Sequence, residues 1–242
     1  MSTYVYGIAA STHPALPEGG QGVGDPPTAV RVLREGPLAA LVSDAPAELR
    51  PKRRDLLAHQ EVLVEAGARG CVLPMRFGSV APDDAAVTEV LAQRAEHYRE
   101  RLRALDNKVE YNVKASHLEE AVLHLVLADS PELRALAEAN RQEGGGSYEQ
   151  KLRLGELIAT AVRAREAEDA AAVRGALEPL AVAVDPGPGS TGWLANVSFL
   201  IDRDASAAFA EAVEAFRKTH PHLEVRLAGP LPPYSFVEPG PE

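Results

Sequence analysis

"NKVEYNVKAS", running from Asn107 to Ser116, sets Val109, Tyr111 and Val113 against Glu110, Asn112 and Lys114. That period-two alternation predicts a strand with one dry and one wet face. After it, "HLEEAVLHLVL" and "SPELRALAEANRQ" read as two helical pieces broken at Asp129-Ser130-Pro131, where Ser130 can cap and Pro131 can occupy the first turn. "EGGGS" ends that pair as a hinge-like run, and the chain from Tyr148 to about Leu180 is strongly helix-forming, with Tyr148, Leu152, Gly155, Ile158 and Val162 on one stripe. "LAVAVDP", the loop "GPGSTG" and "WLANVSFLID" predict a hairpin; "ASAAFAEAVEAFRKTHP" predicts a helix and "LEVRLAGPL" a last strand. Strand, helices, strand, strand, helix, strand is the ferredoxin-like split arrangement of two βαβ units on one antiparallel sheet.

Toward the N-terminus a related but rearranged order is expected. "TYVYGIAA" reads as a strand that stops at the Pro/Gly-rich "HPALPEGGQGVGDPP", a flexible surface loop. "TAVRVLREG" and "PLAALVSD" flank Gly36-Pro37 as a hairpin. From Lys52 to about Ala68, Leu56, Gln60, Leu63 and Gly67 share one helical stripe with Leu57 and Val64 beside it. "CVLPMRFGSV" follows as a strand whose proline should place it at an edge or a bulge. Behind a cap at Asp83 or Asp84, Val87, Leu91, Ala95, Tyr98, Leu102 and Leu105 repeat at alternating four- and three-residue spacing, which predicts one long helix with a narrow apolar seam. The fold class is therefore α+β in two domains with long, coiled-coil-like helical additions. Residues 1–104 form a modified ferredoxin-like domain ending in the long helix; residues 105–242 form a ferredoxin-like domain with a helical insertion and a C-terminal tail.

A chain of 242 residues with 45% hydrophobic and 25% charged residues is ordinary soluble globular material, long enough for two modest domains. With only 5% aromatic residues, its core must be built mostly from Ala, Val and Leu. A net charge of -10 repels phosphate, which argues against nucleic acid and anionic membrane surfaces as partners. The single cysteine, Cys71, excludes an internal disulfide and any multi-cysteine metal site, and reads as a small core residue. Neither a secretory signal nor a bilayer-length apolar run is present in the sequence, so a cytoplasmic location is expected.

Catalytic and metal chemistry finds little purchase in the spacing. His59 and Glu65 are six apart and point to different faces of a helix; His117 and His124 could share a face with Glu120, but that set is thin and reads as a solvated helix. His220 in "THPH" is a helix C-terminal residue. The glycine runs match neither a dinucleotide fingerprint nor a phosphate loop, and "GGGSYEQK" reads as a hinge with Ser147 as N-cap. No serine sits in a nucleophile elbow. If the protein were instead an enzyme or small-ligand binder on a ferredoxin-like scaffold, Glu110, Lys114 and Tyr148 would be the residues to converge. Arg76, inside the apolar "LPMRFGSV", is expected to pair with Glu61 or Glu65 as a clamp between helix and strand. That segment and "AGPLPPYSFVE" suit interaction surfaces or stiff edges better than catalysis.

"YVYGIA", "VLPMRFGSV", "KVEYNVKA", "GGGSYEQK" and "GPLPPYSFV" occur in this order over nearly the whole chain. In order and spacing they resemble the gas vesicle protein family GvpF/GvpL. The matching signature positions are Leu73, Pro74, Arg76, Phe77 and Gly78, with Gly229, Pro230, Pro233, Tyr234 and Phe236. The resemblance implies a non-enzymatic minor component required for gas vesicle assembly, without cofactor, metal or small-molecule substrate. It would bind the small hydrophobic shell protein, with other minor gas vesicle proteins as further candidates, and associate with the vesicle shell. The extended Pro/Gly loop and the Ala-rich long helix leave the F-type and L-type alternatives open.

Overall fold

The structure, a computed structural model, describes residues 1–187 and 192–237. Most of the expected loop "GPGSTG" and the last residues of the tail lie outside them. The chain divides into two compact units: Met1–Glu110 with Leu200–Arg203 and everything from Gly229 onward, and Tyr111–Phe199 with Asp204–Ala228. The boundary expected at 104/105 lies near Glu110, where the first unit's leading segment ends. The first unit, however, is discontinuous and includes the signature segment that begins at Gly229.

In the first unit, β1 (Thr3–Ala10), β2 (Arg31–Glu35), β3 (Leu38–Asp44) and β4 (Val72–Pro74) form a sheet in the order β2-β3-β1-β4, and β5 (Val80–Ala81) also pairs with β1. All these pairings are antiparallel. Gly36, at φ 51, opens the two-residue β2-β3 turn in the left-handed region that a primed hairpin turn demands. Gly7 is required for a second reason: a Cβ there would stand 2.8 Å from the Leu73 carbonyl oxygen, so β4 approaches β1 closely only over a glycine.

Helix α1 (Arg53–Gly67) buries Asp55, His59, Val62, Leu63 and Ala66. The expected inward stripe of Leu56, Gln60, Leu63 and Gly67 is therefore rotated, and Leu56, Leu57 and Val64 face outward. The cause is polar. Tyr4 Oη donates to His59 Nδ1 at 2.8 Å, while Asp55 accepts from the Gly24 amide at 3.0 Å, so two polar side chains have dedicated buried partners. The Pro/Gly-rich connection between β1 and β2 is not a loose surface loop either. Val23 is fully buried in the core, its amide donates to Tyr6 Oη at 2.8 Å, and Gln21 bridges Ala29.

The expected single helix after Asp83 is two, α2 (Asp84–Gln93) and α3 (Ala95–Ala104), separated at Arg94. Asp83 caps the first by accepting from Ala86 N at 2.8 Å. The apolar seam itself is as read, since Val87, Leu91, Tyr98, Leu102 and Leu105 are all buried. It meets a sheet rather than a partner helix: α2 packs on β2 and β3, and α3 on β1 and β4.

A second sheet runs β7-β8-β6-β9, built from β6 (Lys108–His117), β7 (Ala183–Pro186), β8 (Ala195–Asp202) and β9 (Leu223–Leu231). Both sheets thus have the strand order 2-3-1-4 by chain position, the ferredoxin-like order. Between β6 and β7 lie α4 (Glu119–Asp129), α5 (Pro131–Gln142) and the 30-residue α6 (Tyr148–Leu177). Ser130 accepts from Leu133 N, and Ser147 forms a full capping box with Gln150, as their positions predicted. Helix α7 (Ser206–Thr219) connects β8 to β9 and buries Phe209, Val213 and Phe216. Its C-cap is His220, whose ring stacks on Phe216.

Candidate interaction site

"LPMRFGSV" is not one strand but a strand, a turn and a second short strand, all returning to β1. Leu73 and Pro74 are buried in β4, at the sheet edge where a missing N–H costs nothing. The Met75 amide donates to Tyr6 O at 2.8 Å and the Val5 amide to Ser79 O at 2.9 Å, fastening the turn from both sides. Within it the Ser79 amide donates to Arg76 O at 3.2 Å, with Gly78 at φ 93 in the position of such a turn that needs positive φ. Phe77 packs edge-on to Tyr4 and His59. His59 Nε2 donates to the Met75 carbonyl at 3.1 Å while its Nδ1 accepts from Tyr4, so the ring is held in its neutral form, and burial lowers its pKa below the ordinary 6.5. The helix-to-strand clamp is therefore His59. Arg76 is exposed and makes no ion pair among the described residues, which corrects the expected pairing with Glu61 or Glu65. Glu61 and Glu65 are exposed on α1 as well, so each charge is solvated and none needs a partner.

The second signature segment comes back to the same core. Tyr234 packs against the cluster containing Tyr4, Tyr6 and Leu63, the cluster that Phe77 also joins. Burial, with the neighbouring Glu110 carboxylate, pushes the Tyr234 hydroxyl up to about 12. The Ser235 amide and hydroxyl each donate to the buried Glu110 carboxylate at 2.8 Å, and Arg101 donates to Phe236 O at 2.9 Å. Pro233 is buried, whereas Gly229 and Pro230 are exposed. Two stretches some 150 residues apart in sequence are thus brought together on one core.

Beside them lies a cavity of about 540 Å³ walled by Val64, Gly67, Cys71, Pro230, Pro232 and Pro233. Arg203 crosses its rim to donate to Gly67 O at 2.9 Å. Cys71 lines this cavity without being a nucleophile, since burial pushes its thiol up to about 11. Val64, which lines the cavity, and Leu56 and Leu57 two turns earlier on α1 form an apolar stripe interrupted by the exposed Gln60 and Glu61, and the three side chains are 44%, 41% and 46% exposed. An apolar stripe of this kind, running into a proline-walled hollow, offers a surface for another apolar chain.

The residues expected to converge in an enzyme or ligand site are otherwise engaged. Glu110 is bound by Ser235, Lys114 stands 5.8 Å over the Trp193 ring, and Tyr148 is 83% exposed at the start of α6. His117 does not share a helix with His124; it ends β6, and its partners are remote in sequence. With Asp169 and His222 it makes a buried cluster in the second unit. No local spacing signals this set, because its members come from β6, α6 and the residue before β9. No helix is long and apolar enough to cross a membrane among the described residues.

The family model "Gas vesicle synthesis protein GvpL/GvpF" matches residues 2–238. Gas vesicle protein F of Streptomyces sp. (strain CB03234) is 65% identical over 238 residues, 98% of this chain and all of that one. Gas vesicle protein L of the same strain is 30% identical over 256 residues, 97% of this chain and 92% of its own length. The crystal structure of GvpF from Anabaena sp. PCC7120 matches with a TM-score of 0.76 at 27% identity, covering 99% of both chains. That of GvpF from Microcystis aeruginosa, at 24% identity and a TM-score of 0.71, shares the fold over 98% of this chain and 99% of that one. By the match along almost its whole length, this chain belongs to the GvpL/GvpF family of gas vesicle proteins.

Proposed function

We propose that the protein is a non-enzymatic assembly component that binds the small hydrophobic shell protein and associates with the vesicle shell from the cytoplasm. The observation that carries this reading is the set of exposed apolar side chains Leu56, Leu57 and Val64 on α1, of which Val64 also lines the cavity walled by Pro230, Pro232 and Pro233. A subunit that will face gas is strongly apolar and needs a cover before assembly. A net charge of -10 on the rest of the chain would keep such a complex in solution. On this reading the signature positions Leu73, Pro74, Phe77, Gly78, Pro233, Tyr234 and Phe236 hold the surface in shape, Pro230 lines its cavity, and Arg76 and Gly229 are exposed.

Co-expression of this chain with the shell protein tests the proposal. The expected result is that the shell protein becomes soluble and co-elutes with this chain. A shell protein that stays insoluble and never co-elutes overturns it.

A further inference from the structure

We propose that His117, Asp169 and His222 form a binding site for one divalent transition-metal ion of the zinc class. Their ligand atoms all lie within 4.8 Å of one another, and the side chains are 8%, 3% and 9% exposed. Three elements supply them: the end of β6, the interior of α6 and the residue before β9. Asp169 Oδ2 accepts from both imidazoles, at 2.8 Å from His117 Nε2 and 2.9 Å from His222 Nε2. Burial alone would raise the Asp169 pKa, but hydrogen bonds from His117, Arg165 and His222 hold it below the ordinary carboxylate value. Three potential ligand atoms are thus gathered in one buried place.

Two imidazoles and one carboxylate suit zinc, cobalt or nickel and not calcium or magnesium, which take oxygen ligands. A tetrahedral ion with bonds of about 2.0 to 2.2 Å sets neighbouring ligand atoms about 3.3 Å apart. Each imidazole must therefore retreat about 0.5 Å from the carboxylate oxygen, and the two imidazole nitrogens, which lie within 4.8 Å of each other, must close toward that same spacing to admit the ion. His117 is free to do so, because its Nδ1 is buried without a hydrogen-bond partner among the described residues and Asp169 alone tethers the ring. Coordination through Nε2 requires each ring to carry its proton on Nδ1 instead. Water fills the fourth position.

Arg165 opposes this, with its Nε 3.1 Å from both Asp169 oxygens and its Nη2 3.4 Å from His222 Nε2. The same guanidinium has a second carboxylate, Asp129 Oδ2, at 3.6 Å. A shift toward Asp129 leaves Arg165 on Oδ1 and opens Oδ2 to the ion, the outer position that commonly orients a metal-bound carboxylate. With Asp129, Asp169 and Arg165 contributing one net negative charge and both imidazoles neutral, the dication is not left facing a positive pocket. Bound there, it would fasten the ends of β6 and β9 to α6.

The test is titration of the metal-stripped full chain with Co²⁺, followed by displacement with Zn²⁺, reading the visible ligand-field absorption and the thermal midpoint. About one ion per chain is expected, with a tetrahedral Co²⁺ band that Zn²⁺ abolishes. The band should disappear in H117Q and H222Q, chosen to keep side-chain volume and checked for folding by circular dichroism. H124A should bind unchanged, because His124 is an exposed residue of α4. Absence of saturable binding by the unmodified chain overturns the proposal, as does binding that persists in the H117Q/H222Q double variant.

Discussion

The two sheets share the order 2-3-1-4, yet the chain closes the first connection of each in opposite ways. In the second unit α4, α5 and α6 join β6 to β7; in the first a Pro/Gly-rich loop joins β1 to β2, pinned by Val23 and by Asp55. The buried histidines follow the same division. His59 is wedged among Tyr4, Tyr6 and Phe77 as a neutral ring that donates to a carbonyl, whereas His117 and His222 share one ionised carboxylate. One topology thus supports an aromatic, neutral core beside an apolar outer stripe, and a polar, charged junction at the ends of strands. The lesson is that strand order decides neither what a ferredoxin-like unit buries nor what it shows to partners.

The comparison breaks most visibly if the first unit loses its borrowed segment. Truncation after Leu231 removes Tyr234 from the core and strips both Ser235 donors from the buried Glu110, with an expected cost of about 3 to 5 kcal/mol. Hydrogen exchange should show amides of β1 and β4 losing protection. The fluorescence of Trp193, which belongs to the second unit, should change little. Equal loss in both units would contradict the division.

His59→Leu comes next, at about 1 to 3 kcal/mol, because the Met75 carbonyl and the Tyr4 hydroxyl each lose their histidine partner. The two units should also part company in acid. His59 is kept neutral by the fold, so the unfolded chain takes up the proton first; its stabilisation is complete above about 6.5 and is lost as pH falls toward and through the lowered folded value. Asp169 is kept ionised, so its contribution is complete above 3.8 and is lost only as pH falls through its own depressed value. Urea unfolding followed from pH 7 to pH 5 should show the first unit weakening while the second holds, and His59→Leu should flatten that slope.

Arg76→Ala is the smallest effect, within about 0.5 kcal/mol in thermal unfolding, since the side chain is exposed. A larger loss would restore the clamp that its apolar surroundings first suggested.

Much of this fold was legible from residues alone, and the misses share one physical cause. The strand at Asn107–Ser116, the Ser130-Pro131 break and the Ser147 cap are local signals and appear where expected, but Glu110, expected on the strand's wet face, is buried because Ser235 comes back to it. The face of α1 was misread because periodicity counts apolar residues, while the fold turned that helix to bury Asp55 and His59 against partners 31 and 55 residues away. Arg94 divides a helix whose seam was correctly identified, because both halves must lie on one sheet. The meeting of "LPMRFGSV" with "GPLPPYSFV" and that of His117 with Asp169 and His222 are tertiary events that no spacing announces. Family signature marked the first pair; nothing in the sequence marked the second.

The exposed stripe of α1 is where the account stands or falls. Leu56, Leu57 and Val64 can be changed together to glutamate without opening the core, and the shell protein co-purifying with that variant can be weighed against the amount recovered with the unmodified chain. The account predicts a folded variant with unchanged circular dichroism and at least a tenfold loss of co-eluting shell protein, on the order of 1.4 kcal/mol or more. Full recovery of the shell protein by the folded triple variant would contradict it.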